Sequence, residues 1–178
     1  MGHATLSPVV PSTERIRLDP QRASDHIDRL FRAAWALCGS REDAEDLVQE
    51  TYARVLAKPR FLRSEDDLGY LLRTLRNTFL NQKRTQSRRL RAVPLPDELD
   101  VVADPRATDP AVAVETGEVY AAVSALPADY RDVLVAVDVT GLSYKEAAKT
   151  LRIPEGTVMS RLYRARQQVV KQIDGGSE

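Results

Sequence analysis

The sequence predicts an all-α protein of two small helical domains joined by a flexible linker, the second carrying a helix-turn-helix. Three observations lead there. Apolar residues recur at helical spacing through residues 25–57 and 68–80 and again through 119–173, with no strand-like alternation of useful length. An acidic stretch holding Pro94, Pro96, Pro105 and Pro110 separates the two sets and has the composition of an extended tether. Within the second set, a capping box opens a short helix that is followed by a turn and a longer helix.

Taken in order, residues 1–23 are rich in Pro, Ser and charge and show no periodicity, so they are expected to form a disordered tail. Residues 24–92 then read as one helical domain. Ile27, Leu30, Phe31, Ala34, Trp35 and Leu37 mark a first helix, and Leu47, Val48, Tyr52, Val55 and Leu56 a second, divided at Gly39 and Ser40. Pro59 ends the second, residues 61–67 form a loop, and Leu68, Leu71, Leu72, Leu75, Phe79 and Leu80 set the core face of a long third helix. Residues 93–114 are the expected linker, 115–174 the second domain and 175–178 a short tail. In the second domain Pro127 divides the patterns at Val119–Leu126 and Tyr130–Val139, and Gly141 closes the latter. Ser143 to Glu146 is the capping box, and Glu155 to Ile173 is the last helix. Ala148, Arg152 and Val158 sit where two crossing helices need a small residue, a turn and a packing residue.

Composition narrows the function. The 178 residues carry 26 basic and 26 acidic side chains, a balance that hides strong segregation. Arg73, Arg76, Lys83, Arg84, Arg88, Arg89 and Arg91 fall in a stretch without a single acid, which suits a phosphate backbone. Glu42, Asp43, Glu45, Asp46 and Glu50 form an opposite block that would repel DNA and favour a basic protein partner. The one cysteine, Cys38, cannot form an internal disulfide and reads as a small core residue beside Trp35 and Leu37. No apolar run reaches the length of a signal peptide core or a membrane span, so a cytoplasmic chain with no membrane insertion is expected. A nucleophile with a base, a ligand cluster and a Gly-rich phosphate loop are all missing from the pattern, so neither an enzyme nor a metal or other cofactor is expected.

The residues from Gly141 to Ala148, Gly-Leu-Ser-Tyr-Lys-Glu-Ala-Ala, followed by those from Gly156 to Arg166, Gly-Thr-Val-Met-Ser-Arg-Leu-Tyr-Arg-Ala-Arg, resemble region 4 of the extracytoplasmic-function sigma factors. Leu126, Pro127, Tyr130 and Arg131 fit the start of that region. Independently, Asp43 to Tyr52 (Asp-Ala-Glu-Asp-Leu-Val-Gln-Glu-Thr-Tyr) resembles the polymerase-binding region 2.2 of the same family. The resemblance covers about residues 24–92 and 115–173.

The resemblance implies a DNA-binding subunit that lends promoter specificity to core RNA polymerase. In the family the first domain docks on the clamp helices of the largest polymerase subunit and the second lies near the flap. Asp46, Leu47, Gln49 and Glu50 match the docking motif. Minus-ten recognition and melting would fall to Phe61, Arg63 and Ser64 in the loop and Tyr70, Arg73, Arg76, Asn77, Asn81 and Arg84 on the long helix. There Tyr and Phe can stack on a flipped base, Asn can read a base edge and Arg can hold phosphate. Minus-thirty-five recognition would fall to Ser143, Thr157, Met159, Ser160, Arg161, Tyr163, Arg164 and Arg166 in a major groove. Three positions depart from the family pattern: Tyr70 stands for the usual Trp, Asn81 for Asp, and Met159 for a common basic residue. Met159 exchanges a charged groove contact for an apolar one suited to a thymine methyl.

The family is commonly held inactive by a cognate anti-sigma factor, which becomes an expected partner here in a stress or envelope response. The acidic linker, in the family, threads the polymerase cleft. Its length and proline content lead us to expect two domains that move independently in the free chain and become fixed in a complex. The competing class is a helix-turn-helix regulator that binds an operator without joining the polymerase. It leaves the acidic motif at Asp46 to Glu50 and the basic block from Arg73 without a shared purpose.

Overall fold

The structure is a computed structural model that describes residues 16–58, 61–62, 66–92 and 110–175. A two-residue strand β1 (Ile16–Arg17) is followed by helices α1 (Pro20–Ser24), α2 (Ile27–Cys38) and α3 (Arg41–Leu56). A second two-residue strand, β2 (Phe61–Leu62), precedes the long α4 (Asp67–Ala92). The C-terminal half holds α5 (Pro110–Ser124), α6 (Ala128–Leu134), α7 (Tyr144–Leu151) and α8 (Glu155–Gly175). Apart from one ladder between β1 and β2, the described residues are helices and their connections.

Local chemistry sets the boundaries. Gly39 takes φ +78° to end α2, and the Ser40 hydroxyl accepts from the Asp43 amide at 3.3 Å to start α3. α6 runs on into a π-helical turn, Val135–Val139, in which the Thr140 amide donates to the Val135 carbonyl at 3.0 Å. Gly141, at φ +75°, then turns the chain towards α7. The capping box at Ser143 is complete, and Arg152 adopts φ 58° at the end of α7.

The inner face of α2 supplies Leu30, Ala33, Ala34 and Leu37; the alanines let α3 approach closely. Ala44, Leu47, Val48 and Val55 of α3 and Leu71, Leu72, Leu75 and Phe79 of α4 close the first part. Val133, Leu134, Val135, Ala147, Val158, Leu162 and Ala165 fill the second, and all of these belong to one connected cluster. Ala147 is the fully buried small residue of α7, and Ala148, expected in that place, lies half-buried beside it.

Three sequence expectations need correction. Residues 16–23, read as tail, form β1 and most of α1, because their contacts are made by main chain and by side chains distant in sequence. Residues 110–114, read as linker, belong to α5, whose helix starts at Pro110. Residues 1–15 and 93–109 lie outside the described residues. The third concerns separateness: in this arrangement the two halves are not apart but pack together, α2 against α5 and α6, and α4 against α7. Trp35 stacks on Tyr120 with centroids 4.6 Å apart, and the Arg131 guanidinium sits 5.2 Å from the Phe79 ring centre. Linker composition speaks only to the tether, and says nothing of the faces at its two ends.

Candidate promoter and polymerase interface

α3 carries its acids outward. Glu42, Asp43, Glu45 and Asp46 are exposed, as is Gln49, while Ala44, Leu47 and Val48 point into the core. Leu47 was expected to face a partner and is fully buried; helical spacing puts it on the inner stripe with Thr51 and Val55. Glu50, half-buried, accepts from Arg54 one turn on and from Gln82 Nε2 of α4 at 2.6 Å. A groove runs between these helices, with Asp43, Asp46 and Glu50 on one wall and Lys83, Gln86 and Arg89 on the other. Cys38 also lines it; burial first, and the nearby Asp43 charge second, push its thiol up to about 12, so the thiolate is not formed at neutral pH.

On α4, Tyr70, Arg73, Asn77, Asn81 and Arg84 fall along one side at helical spacing. Asn77, Asn81 and Arg84 are exposed, and Tyr70 and Arg73 are half-buried. Phe61 of β2 is 58% exposed, the most open aromatic ring in the N-terminal half among the described residues. Arg63 and Ser64 lie outside the described residues. Arg76 sits off this stripe, turned to the C-terminal half, where its Nε donates to Asp132 Oδ2 at 2.6 Å. Arg73 faces the same way: its Nε donates to the Thr150 carbonyl at 3.2 Å, and Lys149 Nζ lies 3.7 Å from Asp66. Two of the expected minus-ten side chains are thus held by the other half of the molecule.

In the C-terminal half, α7 and α8 form the helix-turn-helix. The Ser143 hydroxyl is spent on its cap, accepting from the Glu146 amide at 3.3 Å and donating to Glu146 Oε2 at 2.6 Å. Val158, Leu162 and Ala165 point inward, so Ser160, Tyr163 and Arg164 stand on the outer stripe of α8. Thr157 lies at one edge, half-buried, and Met159, 54% exposed, at the other. The two remaining arginines bend away to acids of α6 and the π turn. Arg161 pairs with Asp129 at 2.7 Å, and Arg166 makes a two-pronged pair with Asp138 at 2.7 and 2.8 Å. Those hydrogen bonds hold the Arg166 guanidinium pKa above its already high ordinary value.

Sequence reading missed Asp132, Asp67 and the β1 strand. Asp132 and Asp67 are 8% and 3% exposed, and each is buried against an arginine far off in sequence, which no local pattern signals. Among the described residues, no group of three or more His, Cys, Asp and Glu is placed to hold a metal, and no helix is long and apolar enough to cross a membrane.

The described residues thus present an outward acidic helix face, a helix side with exposed amide and basic groups, and a helix-turn-helix. The Sigma-70 region 2 family model matches residues 23–89, and that of Sigma-70, region 4 matches residues 116–169. The chain is 38% identical over 147 residues to the ECF RNA polymerase sigma factor SigE of Mycolicibacterium smegmatis, covering 81% of this chain and 57% of that protein. It is 31% identical over 172 residues to the ECF RNA polymerase sigma factor EcfG of Rhodopseudomonas palustris, covering 95% and 92%. The chain therefore spans little more than half the length of the first relative and nearly all of the second. Two solved structures share the fold: the sigma factor RpoE in complex with the anti-sigma factor NepR from Bartonella quintana (TM-score 0.66, 24% identity, 86% of this chain and 95% of that one), and CnrH in complex with the cytosolic domain of CnrY (TM-score 0.64, 23% identity, 88% of each). The chain belongs to the extracytoplasmic-function RNA polymerase sigma factors of the sigma-70 family.

Proposed function

We propose that the chain joins core RNA polymerase through the exposed acids of α3 and brings it to promoters read by two separate faces. The observation that carries this reading is the division of charge on one helical unit: α3 turns acids outward while α4 turns Asn77, Asn81 and Arg84 outward. An acidic surface is unsuited to DNA and suited to a basic protein helix; the α4 surface is the reverse. Asp46, Gln49 and Glu50 dock on the clamp helices of the largest subunit. Phe61 and Tyr70 stack on minus-ten bases, and Asn77, Asn81 and Arg84 contact edges and phosphates. Ser160, Tyr163 and Arg164, with Met159 and Thr157 at the edges, meet the minus-thirty-five groove near the flap. The protein works in the cytoplasm as an initiation factor with no chemistry of its own. A cognate anti-sigma factor is its negative regulator, in line with the anti-sigma factor NepR named as the partner in one of the two structures of like fold.

The test is core polymerase association by titration of the labelled full chain. Asp46→Lys reverses one exposed charge of α3, and a loss of roughly five-fold or more in affinity is expected for a close interfacial pair. Unchanged affinity in this variant and in Gln49→Ala would place the docking surface elsewhere.

A further inference from the structure

Residues 16–25 are tied to the connection between α3 and α4. β1 pairs antiparallel with β2 in a fixed register, Ile16 opposite Leu62 and Arg17 opposite Phe61. Successive strand residues point to opposite sides, so the register that buries Leu62, at 9% exposure, is the one that turns Phe61 outward at 58%. A slip of one residue would exchange them. Leu18, directly after β1, is itself buried at 6% and belongs to the core cluster, which anchors the segment.

The segment is then fastened on the far side of the same loop. The Asp19 carboxylate caps α1 by accepting from the Gln21 amide at 3.0 Å, and Arg22 of α1 pairs at 2.9 Å with Asp67, the first residue of α4. Asp67 is 3% exposed, so this ion pair is shielded on the acid's side. The Tyr52 hydroxyl of α3 donates to the Ala23 carbonyl at 2.6 Å. The chain between α3 and α4 is thereby held at Phe61–Leu62 by a backbone ladder and at the start of α4 by an ion pair shielded on one side, both from residues before α2.

We propose that residues 16–25 are a positioning strap for minus-ten recognition, setting the outward direction of Phe61. This rests on the reading of Phe61 as a base-stacking residue. The strap itself touches no base; it acts by fixing the strand register and the entry to α4, so that the ring is directed before DNA arrives and its ordering cost is not met at binding.

The experiment is run-off transcription by bacterial core polymerase with the full chain, with residues 1–15 removed, with residues 1–17 removed, and with Phe61→Ala, on template pairs that differ by base changes in the minus-ten element. The ratio of products from the intact and altered templates is read beside core polymerase affinity. Removal of 1–15 should leave the ratio unchanged, and Phe61→Ala should lower it by roughly five-fold or more, as loss of one stacked base does. Removal of 1–17 should lower it towards the Phe61→Ala value with core affinity preserved. If Phe61→Ala loses discrimination while removal of 1–17 does not, the strap is refuted and the Phe61 reading stands. If Phe61→Ala keeps full discrimination, the Phe61 reading fails first. Equal losses in core affinity and discrimination would make the segment a general brace and overturn the proposal. Arg22→Ala cuts the ion pair and leaves the strand in place, so it serves if the shortened chain does not fold. A loss of roughly two-fold, a fraction of one stacking contact, is expected from it, and an unchanged ratio refutes the strap.

Discussion

Arg76 on α4 and Asp132 on α6 meet across the boundary between the two halves, Nε to Oδ2 at 2.6 Å, with Asp132 only 8% exposed. Arg76 is also one of the side chains that the family resemblance assigns to minus-ten contact, and in this packed arrangement it is held by the other half instead. Asp132→Ala should weaken the packing by about 1–2 kcal/mol, below the value for a fully buried pair because Arg76 keeps a third of its surface in water. Small-angle scattering checks this: the radius of gyration should rise in the variant, and an unchanged value would show that the apolar contacts alone hold the halves.

The same pair carries a pH dependence. Burial raises the Asp132 carboxyl above its ordinary value of 3.8, and the attraction of Arg76 and then Arg131 offsets this only in part, with Asp129 adding to the rise. A raised carboxyl in the packed state means that packing takes up protons between the ordinary and raised values. Packing is therefore favoured as pH falls through that window and weakens as it rises. Asp132→Asn removes this titration, so its scattering curve should lose the pH response that the unaltered chain shows above 3.8.

Gly39 is bound to its place twice over. Its φ of +78° suits glycine, and a Cβ there would lie 2.5 Å from the Ser124 hydroxyl of α5. Gly39→Ala should cost about 1–2 kcal/mol from the backbone conformation alone. Urea denaturation measures the loss, and Ser124→Ala combined with Gly39→Ala should recover only the steric share.

The Ser143 cap predicts a second acid-side effect of opposite sign. Hydrogen bonds from the Ser143 hydroxyl and then its amide hold Glu146 below its ordinary value of 4.5. A lowered carboxyl stabilises the fold above the ordinary value, and that gain is lost as pH falls through the lowered one. Ser143→Ala should cost about 1 kcal/mol near neutral pH. The difference between variant and unaltered chain in denaturant titrations should shrink well below pH 4.5.

Two arginines one half-turn apart on α8 should behave differently. Arg164 is exposed on the outer stripe, whereas Arg166 is tied to Asp138. Arg164→Ala should weaken promoter binding and reduce the salt slope by about 1, the mark of a lost phosphate contact. Arg166→Ala should leave that slope unchanged and instead loosen the π turn, visible as faster amide exchange at residues 135–140.

Much of this architecture was legible because it is written in local pattern. Leu71, Leu72, Leu75 and Phe79 announce a buried helix face at helical spacing, and all four are buried. Ser143 and Glu146 announce a helix start, and the capping box is there. What the pattern could not show are relations between distant residues. β1 is two residues long and owes its existence to partners forty-four and forty-six positions away, so periodicity has nothing to detect. Leu47 lies within a motif suited to docking, yet its place on the inner stripe of α3 decides its burial. Asp132 and Asp67 look like ordinary surface acids until the arginines opposite them are known.

The most direct measurement is run-off transcription by bacterial core polymerase with and without the full chain, on a library of random promoters read by sequencing. New start sites that share two spaced sequence elements should appear only when the chain is present. A core polymerase that gains no start sites, beside a chain that binds duplex DNA by itself, would contradict this and turn the helix-turn-helix into that of a regulator acting without the polymerase.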